Sequence, residues 1–230
     1  MTGTATYKQQ AGEAAAALVE TGMVVGLGTG TTAIFAIWRI AARLLDGELT
    51  DIVGVPTSVA TAAAARALGI PLLGGDMPRT IDLTIDGADA VDPQLDLIKG
   101  AGGALVREKI VAQASTRVVI VVDASKVAPV LGGDVLLPVE VMSWGWESQS
   151  RYLAGLGAAV TIRASPGQHY VTDNCNMILD CRFGVIADPA GLAAAIEARA
   201  GIVGHGLFLD IDDVIIAGPS GIDHRRRGAG

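Results

Sequence analysis

The sequence is short of the residues that make metal centres and covalent cross-links. It has two cysteines, Cys175 and Cys181, and three histidines, His169, His205 and His224, scattered over 230 residues. Neither a CxxC pair nor zinc-finger spacing is present, and a histidine-rich metal site has little to build on. No apolar run approaches the ~18 residues that a membrane span needs, so no membrane partner is expected. Met1–Gln10 lacks the apolar stretch of a secretory signal. Reduced thiols in a cytoplasm are therefore the simplest expectation. Positive charge is scarce as well: 17 Lys and Arg against 24 Asp and Glu leave a net charge of −7. That balance speaks against a nucleic-acid partner, which needs a basic face. It leaves room for a phosphorylated small molecule, which needs only a nest of N–H groups and one or two cations. The one basic run, Arg225-Arg226-Arg227, reads as a frayed, solvated tail.

What is present is apolar. The chain is 50% hydrophobic and only 18% charged, with no low-complexity tract, which supports one large domain or two small ones. Helical and strand-like segments alternate through the first half. Lys8–Glu20, Thr31–Leu45, Ser58–Leu68 and Ala104–Ala114 read as helices. Met23–Leu27, Ile52–Val55, Ile70–Leu73, Leu83–Ile85 and the five β-branched residues Val118–Val122 read as strands. Continuous apolar strands between helices predict a parallel sheet buried on both faces.

The pattern changes after about residue 133. Val135–Val141, Ser148–Leu156, Ala159–Arg163, Met177–Cys181, Ala190–Ala198 and Gly206–Leu209 make a β-α-β-β-α-β series. The expected fold is thus α/β: a Rossmann-like parallel-sheet domain over residues 1–133 and 208–230, and a smaller α+β, ferredoxin-like domain over 134–207. Val214–Ile216 is expected to return to the first sheet.

Three loops carry candidate chemistry. The first, Gly26-Leu27-Gly28-Thr29-Gly30-Thr31-Thr32, follows a strand and opens a helix. Glycines let the backbone approach a ligand, the helix start offers N–H groups, and the threonines add hydroxyls, a set suited to a phosphate monoester. The dinucleotide fingerprint fails at Thr31, and the P-loop fails for want of a lysine. A bare strand-to-helix turn is the competing reading. The second loop, Asp86-Gly87-Ala88-Asp89, follows the strand Leu83–Ile85. Its carboxylates can bind sugar hydroxyls or move protons, can hold a divalent cation, or can simply form a polar turn. The third, Lys99-Gly100-Ala101-Gly102-Gly103, runs into a helix bearing Glu108 and Lys109. A lysine there can stabilise an oxyanion and a buried glutamate can act as a base, unless both belong to a solvated face.

Taken in this order, G-L-G-T-G-T-T, D-G-A-D and K-G-A-G-G-A-L-V-R-E-K resemble the signature loops of the ribose-5-phosphate isomerase A family. Asp123-Ala124-Ser125-Lys126, Leu137-Pro138-Val139-Glu140-Val141, Val171-Thr172-Asp173-Asn174 and Gly206-Leu207-Phe208 extend the resemblance. Cys175 stands where the family usually has glycine. The resemblance implies a Rossmann-like domain that binds no dinucleotide, and a homodimer or homotetramer. It also implies interconversion of ribose 5-phosphate and ribulose 5-phosphate through an enediolate, a step of the pentose phosphate pathway, with no metal or nucleotide cofactor. It assigns Glu108 as the base, Asp86 to ring opening, and Lys99 to the enediolate charge. Thr29, Gly30, Thr31, Thr32 and Lys8 would hold phosphate. Asp86, Gly87, Ala88, Asp89, Lys99, Gly100, Ala101, Gly102 and Lys126 would hold the sugar end. Two other readings are a deaminase-isomerase for amino-sugar phosphates and a non-catalytic sugar-phosphate sensor. The first needs a further acid–base group, and no histidine lies near the loops in sequence. The second needs a DNA-binding module, for which there is no basic helix.

Overall fold

The computed structural model describes residues 3–74, 80–209 and 211–228. The chain divides into two compact units. One comprises Met1–Gly87, Arg107–Lys126 and Ile211–Gly230, the other Ala88–Val106 and Val127–Asp210.

The first unit is built on a six-stranded sheet. Its spatial order is Gly221–Arg226, Asp213–Gly218, Val118–Asp123, Leu83–Gly87, Val24–Leu27, Val53–Pro56. All neighbours run parallel except the outer pair, 213–218 with 221–226, which is antiparallel. The apolar runs sit where the sequence pattern puts them, and Val118–Asp123 is buried along its whole length. Alternate side chains serve opposite faces. Val25, Leu27, Ile85, Val119, Val121 and Ile215 pack with Ala11 and Ala15 of helix Gly3–Ala16 and with Ile37 and Ile40 of helix Ala33–Leu45. Val24, Val55 and Ile81 meet Val111 of helix Leu105–Gln113. Each such buried aliphatic side chain stabilises the fold by about 1.5–3 kcal/mol. Because the strands are parallel, their C-terminal ends lie along one edge, where ligand loops of open α/β sheets belong.

The second unit holds a four-stranded antiparallel sheet. Its order is Ile202–His205, Leu137–Val141, Met177–Arg182, Ala159–Ile162. Helices Trp146–Gly155 and Pro189–Glu197 supply Leu153 and Ile196 to a core with Leu137, Val139, Val141, Leu179 and Cys181. This is the ferredoxin-like β-α-β-β-α-β arrangement. A separate three-stranded sheet joins Ala90–Val91, Leu97–Ile98 and Leu207–Phe208.

Several expectations are corrected. The last strand of the four-stranded sheet is Ile202–His205, not Gly206–Leu209: Leu207–Phe208 pairs instead with Leu97–Ile98. For the same reason residues 88–106 group with the second unit rather than with the first. Residues 127–133 join them there, Gly132–Gly133 pairing with Gly184–Val185. Ile70–Leu73 contributes only one bridge, Leu72 to Gly54. The first helix ends at Ala16 rather than Glu20, and Arg43 Nη1 donates to the carbonyls of Ala16 and Val19, at 2.7 and 3.0 Å. Finally, Arg225-Arg226-Arg227 is no frayed tail. Gly221–Arg226 is an edge strand, and Arg227 N–H donates to Asp212 O at 2.9 Å.

The buried carboxylate of Asp213 explains that last ordering. It accepts from Arg117 Nε at 2.6 Å and Arg226 Nε at 3.0 Å, and lies 2.7 Å from His224 Nε2. Burial alone pushes the Asp213 carboxyl up, but hydrogen bonds and charge from Arg117 and His224 outweigh it and hold the group below the usual carboxylate range.

Candidate active site

In the first unit the glycine loop leaves the strand Val24–Leu27 against the end of Leu83–Gly87. Gly28 N–H donates to Ile85 O at 2.9 Å, and a methyl group at Gly28 would collide with the backbone and carboxylate of Asp86. Gly30 has φ +122°, a conformation that glycine adopts without strain. Asp86, 2% exposed, accepts on Oδ1 from the N–H groups of Thr29 (3.0 Å) and Gly87 (2.8 Å). The carboxylate thereby fixes the loop, and the loop fixes the carboxylate.

Beyond Gly30 the helix Ala33–Leu45 begins at Thr32 with no side-chain cap. Ile34 and Phe35 N–H donate to Gly30 O and Thr32 O, both at 3.2 Å, and the positive end of the helix dipole at this start favours an anion. Lys8 Nζ donates to Thr31 Oγ1 at 2.9 Å, so a cation and a hydroxyl stand beside that helix start. Thr29 serves differently. Its hydroxyl lies 2.7 Å from Thr57 Oγ1, donates to Ser58 Oγ at 2.9 Å, and lies 3.1 Å from Thr61 Oγ1. Thr57, Ser58 and Thr61 are not among the site residues expected from the sequence. The available signal was a serine opening the Ala-rich helix Val59–Ala67, where Ser58 Oγ accepts from Thr61 N–H at 3.0 Å.

Two further groups of this unit were singled out in the sequence. Lys126 ends the short 3₁₀ turn Ala124–Lys126 after the strand Val118–Asp123, and Asp123 Oδ1 accepts from Ser125 N–H at 3.0 Å. Glu108 lies in the first turn of Leu105–Gln113, where a helix start favours negative charge, and is 4% exposed.

The second unit holds the rest. Ala88 precedes Asp89, whose Oδ2 accepts from Ala101 N–H at 2.9 Å, while Asp89 N–H donates to Ile98 O at 2.8 Å. Lys99 is 3% exposed; its N–H donates to Gly206 O at 2.8 Å, and its ammonium lies 5.5 Å from the centre of the Phe208 ring. Gly100 and Gly103 have φ of +103° and +83°, and Gly103 leaves room for the Tyr170 hydroxyl. Ala101 and Gly102 form the exposed tip. Among the described residues, no group of three or more His, Cys, Asp or Glu side chains is arranged to hold a metal ion.

Asp86, Lys99 and Glu108 are thus ionisable side chains withdrawn from water on glycine-rich loops or just after one. Their burial takes Lys99 and Glu108 out of the solvated-face reading. Residues 53–221 match the family model for ribose 5-phosphate isomerase A (phosphoriboisomerase A). The ribose-5-phosphate isomerase A of Chloroflexus aurantiacus is 55% identical over 225 residues, 97% of this chain and 94% of that protein. The ribose 5-phosphate isomerase of Plasmodium falciparum superposes with a TM-score of 0.94 at 36% identity, covering 97% of this chain and 99% of the other. A D-ribose-5-phosphate isomerase solved in complex with phospho-erythronic acid gives a TM-score of 0.94 at 35% identity, covering 96% of this chain and 98% of the other. Fold, loops and relatives over nearly the whole length place this chain in the ribose 5-phosphate isomerase A family.

Proposed function

We propose that this enzyme interconverts D-ribose 5-phosphate and D-ribulose 5-phosphate with Glu108 as the base that carries a proton between C2 and C1. The observation that carries the assignment is the burial of a glutamate, 4% exposed, at the start of a helix fed by a glycine loop. In the open-chain aldose, Glu108 takes the C2 proton. The electron pair passes into a C1–C2 double bond and leaves negative charge on O1. Glu108 then returns its proton to C1 while the hydroxyl hydrogen on O2 moves to O1, which yields the ketose. One base on one face does both transfers through a cis-enediolate.

Lys99 stands as the cation that counters the charge on the enediolate oxygens, since a buried ammonium acts strongly in a low-dielectric site. Asp86 serves ring opening. Lys8, Thr31, Thr32 and the backbone N–H groups of residues 30–33 take the phosphate, with Thr29 ordering the loop. Asp89, Gly100, Ala101, Gly102 and Lys126 take the sugar hydroxyls. The phospho-erythronic acid held by the similar enzyme carries a phosphate and a charged oxygen group together, the two features this division of labour requires. The enzyme works in the cytoplasm as a homodimer or homotetramer, as the family resemblance implies.

The test is Glu108→Gln, which preserves shape but cannot accept the proton. Turnover should fall by about 10³-fold or more, at or beyond the upper part of the range for general-base catalysis. Calorimetric binding of phospho-erythronic acid should persist. Substantial turnover in the folded variant would transfer the role to Asp86 or Asp89.

A further inference from the structure

Outside the residues assigned so far, the second unit contains a side-chain arrangement with no evident purpose in its own core. Arg163, at the end of the strand Ala159–Ile162, is a half-buried cation whose partners are all fixed. Its Nε donates to Asp180 Oδ2 at 2.9 Å and its Nη2 to Asp180 Oδ1. The remaining nitrogen, Nη1, donates to two backbone carbonyls, Gly100 O and Ala101 O, each at 3.0 Å. Tyr170 lies over the guanidinium at 5.8 Å and occupies the space that Gly103 leaves without a side chain.

We infer that Arg163, oriented by Asp180, is a positioning residue that holds the Lys99–Gly102 loop in its substrate-binding conformation. This rests on the reading that the loop meets the reacting end of the sugar. Gly100 and Gly102 lie in the loop and Gly103 follows it, so by itself the loop samples many conformations. Two carbonyls drawn to one guanidinium remove that freedom. A trans peptide is planar, so a carbonyl turned one way turns the next N–H the other way. The N–H groups of Ala101 and Gly102 therefore face away from Arg163. That of Ala101 meets Asp89 Oδ2, which ties a second proposed sugar-binding side chain to the same peptide. That of Gly102 becomes a donor for a substrate oxygen. The rigid fork of arginine is what permits this: two nitrogens satisfy the carboxylate while a third reaches the loop, a geometry lysine cannot reproduce. A cavity of about 310 Å³, lined by Asp89, Ala101, Leu136, Pro138, Arg163 and Asp180 among others, opens onto the pair.

The experiment compares Arg163→Ala, Asp180→Asn and Lys99→Ala with the unaltered enzyme. Each is measured for kcat and KM, for affinity to phospho-erythronic acid, and for affinity to inorganic phosphate. In Arg163→Ala, kcat should fall roughly 10–100-fold, the scale on which a small misplacement of binding groups acts. Affinity for phospho-erythronic acid should fall by a similar factor, while inorganic phosphate, held by the other loop, binds as before. Millimolar ethylguanidinium, entering the cavity, should restore part of the turnover. Asp180→Asn, nearly isosteric and leaving Arg163 in place, should move the same quantities in the same direction by less, and it decides the matter if Arg163→Ala does not fold. Turnover within twofold of normal in Asp180→Asn and in folded Arg163→Ala, alongside an impaired Lys99→Ala, overturns the clamp. Normal turnover in Lys99→Ala overturns the loop reading beneath it.

Discussion

Asp86 and Gly28 form one structural unit although 58 positions separate them in the chain. The carboxylate occupies the space where a side chain at position 28 would be, and its Oδ1 collects the N–H groups of Thr29 and Gly87. The two motifs were legible in the sequence as separate glycine and aspartate loops; their mutual contact was not, because residue spacing says nothing about which strands pair. The threonines of the glycine loop likewise divide by function only in three dimensions. Thr29 turns inward to Thr57, Ser58 and Thr61, whereas Thr31 is exposed and receives Lys8. Thr31→Val should therefore raise KM by roughly tenfold, the equivalent of about 1–1.5 kcal/mol for one lost hydrogen bond, with kcat changing less. Affinity for inorganic phosphate should weaken in parallel; an unaltered phosphate affinity would take Thr31 out of the phosphate site. Cys175 shows a different residue-scale effect. Its φ of +64° is left-handed, the conformation glycine supplies most readily.

At the scale of elements, helix and strand identities were readable because apolar periodicity is local. The hydrophobic runs 118–122 and 177–181 became strands within a residue of expectation. Edges were less readable. Gly221–Arg226 is polar, exposed and charged, so nothing in its pattern marks a strand; it pairs along Asp213–Gly218, and the buried Asp213 carboxylate holds His224 and Arg226 of that strand together with Arg117. This gives a pH prediction with a definite sign. The folded-state pKa of Asp213 is depressed, so its contribution is fully present above the unfolded carboxyl value of about 4. It is lost as pH falls from there through the folded value. Asp213→Asn should cost about 1–2 kcal/mol at neutral pH, near the lower end of the range for hydrogen bonds to charged groups because its three partners are partly exposed. The difference from the parent should shrink in urea melts below pH 4. A constant difference across the acid range would deny Asp213 this role.

At the scale of the whole molecule, a composition poor in cysteine and histidine leaves carboxylates, lysine and backbone N–H groups as the groups expected to do the chemistry. The described side chains include no cluster of three or more metal-binding types. Turnover of ribose 5-phosphate should accordingly survive exhaustive EDTA treatment and dialysis unchanged. Activity that disappeared and returned with a divalent ion would place a metal in the mechanism.

Family, fold class and the candidate residues were accessible from the chain alone, because each loop motif is a contiguous stretch whose backbone demands and side-chain chemistry are written locally. Tertiary structure decided the pairings between distant segments. It moved Ala90–Val91 and Leu97–Ile98 into the second unit by pairing Leu97–Ile98 with Leu207–Phe208, and it ended the small sheet at His205. It also set Arg163, held by Asp180, against Gly100 and Ala101, more than sixty residues away in the chain. An arginine between two strands carries no sequence mark of its target. Only the packed sheet determines which carbonyls its one remaining nitrogen can reach.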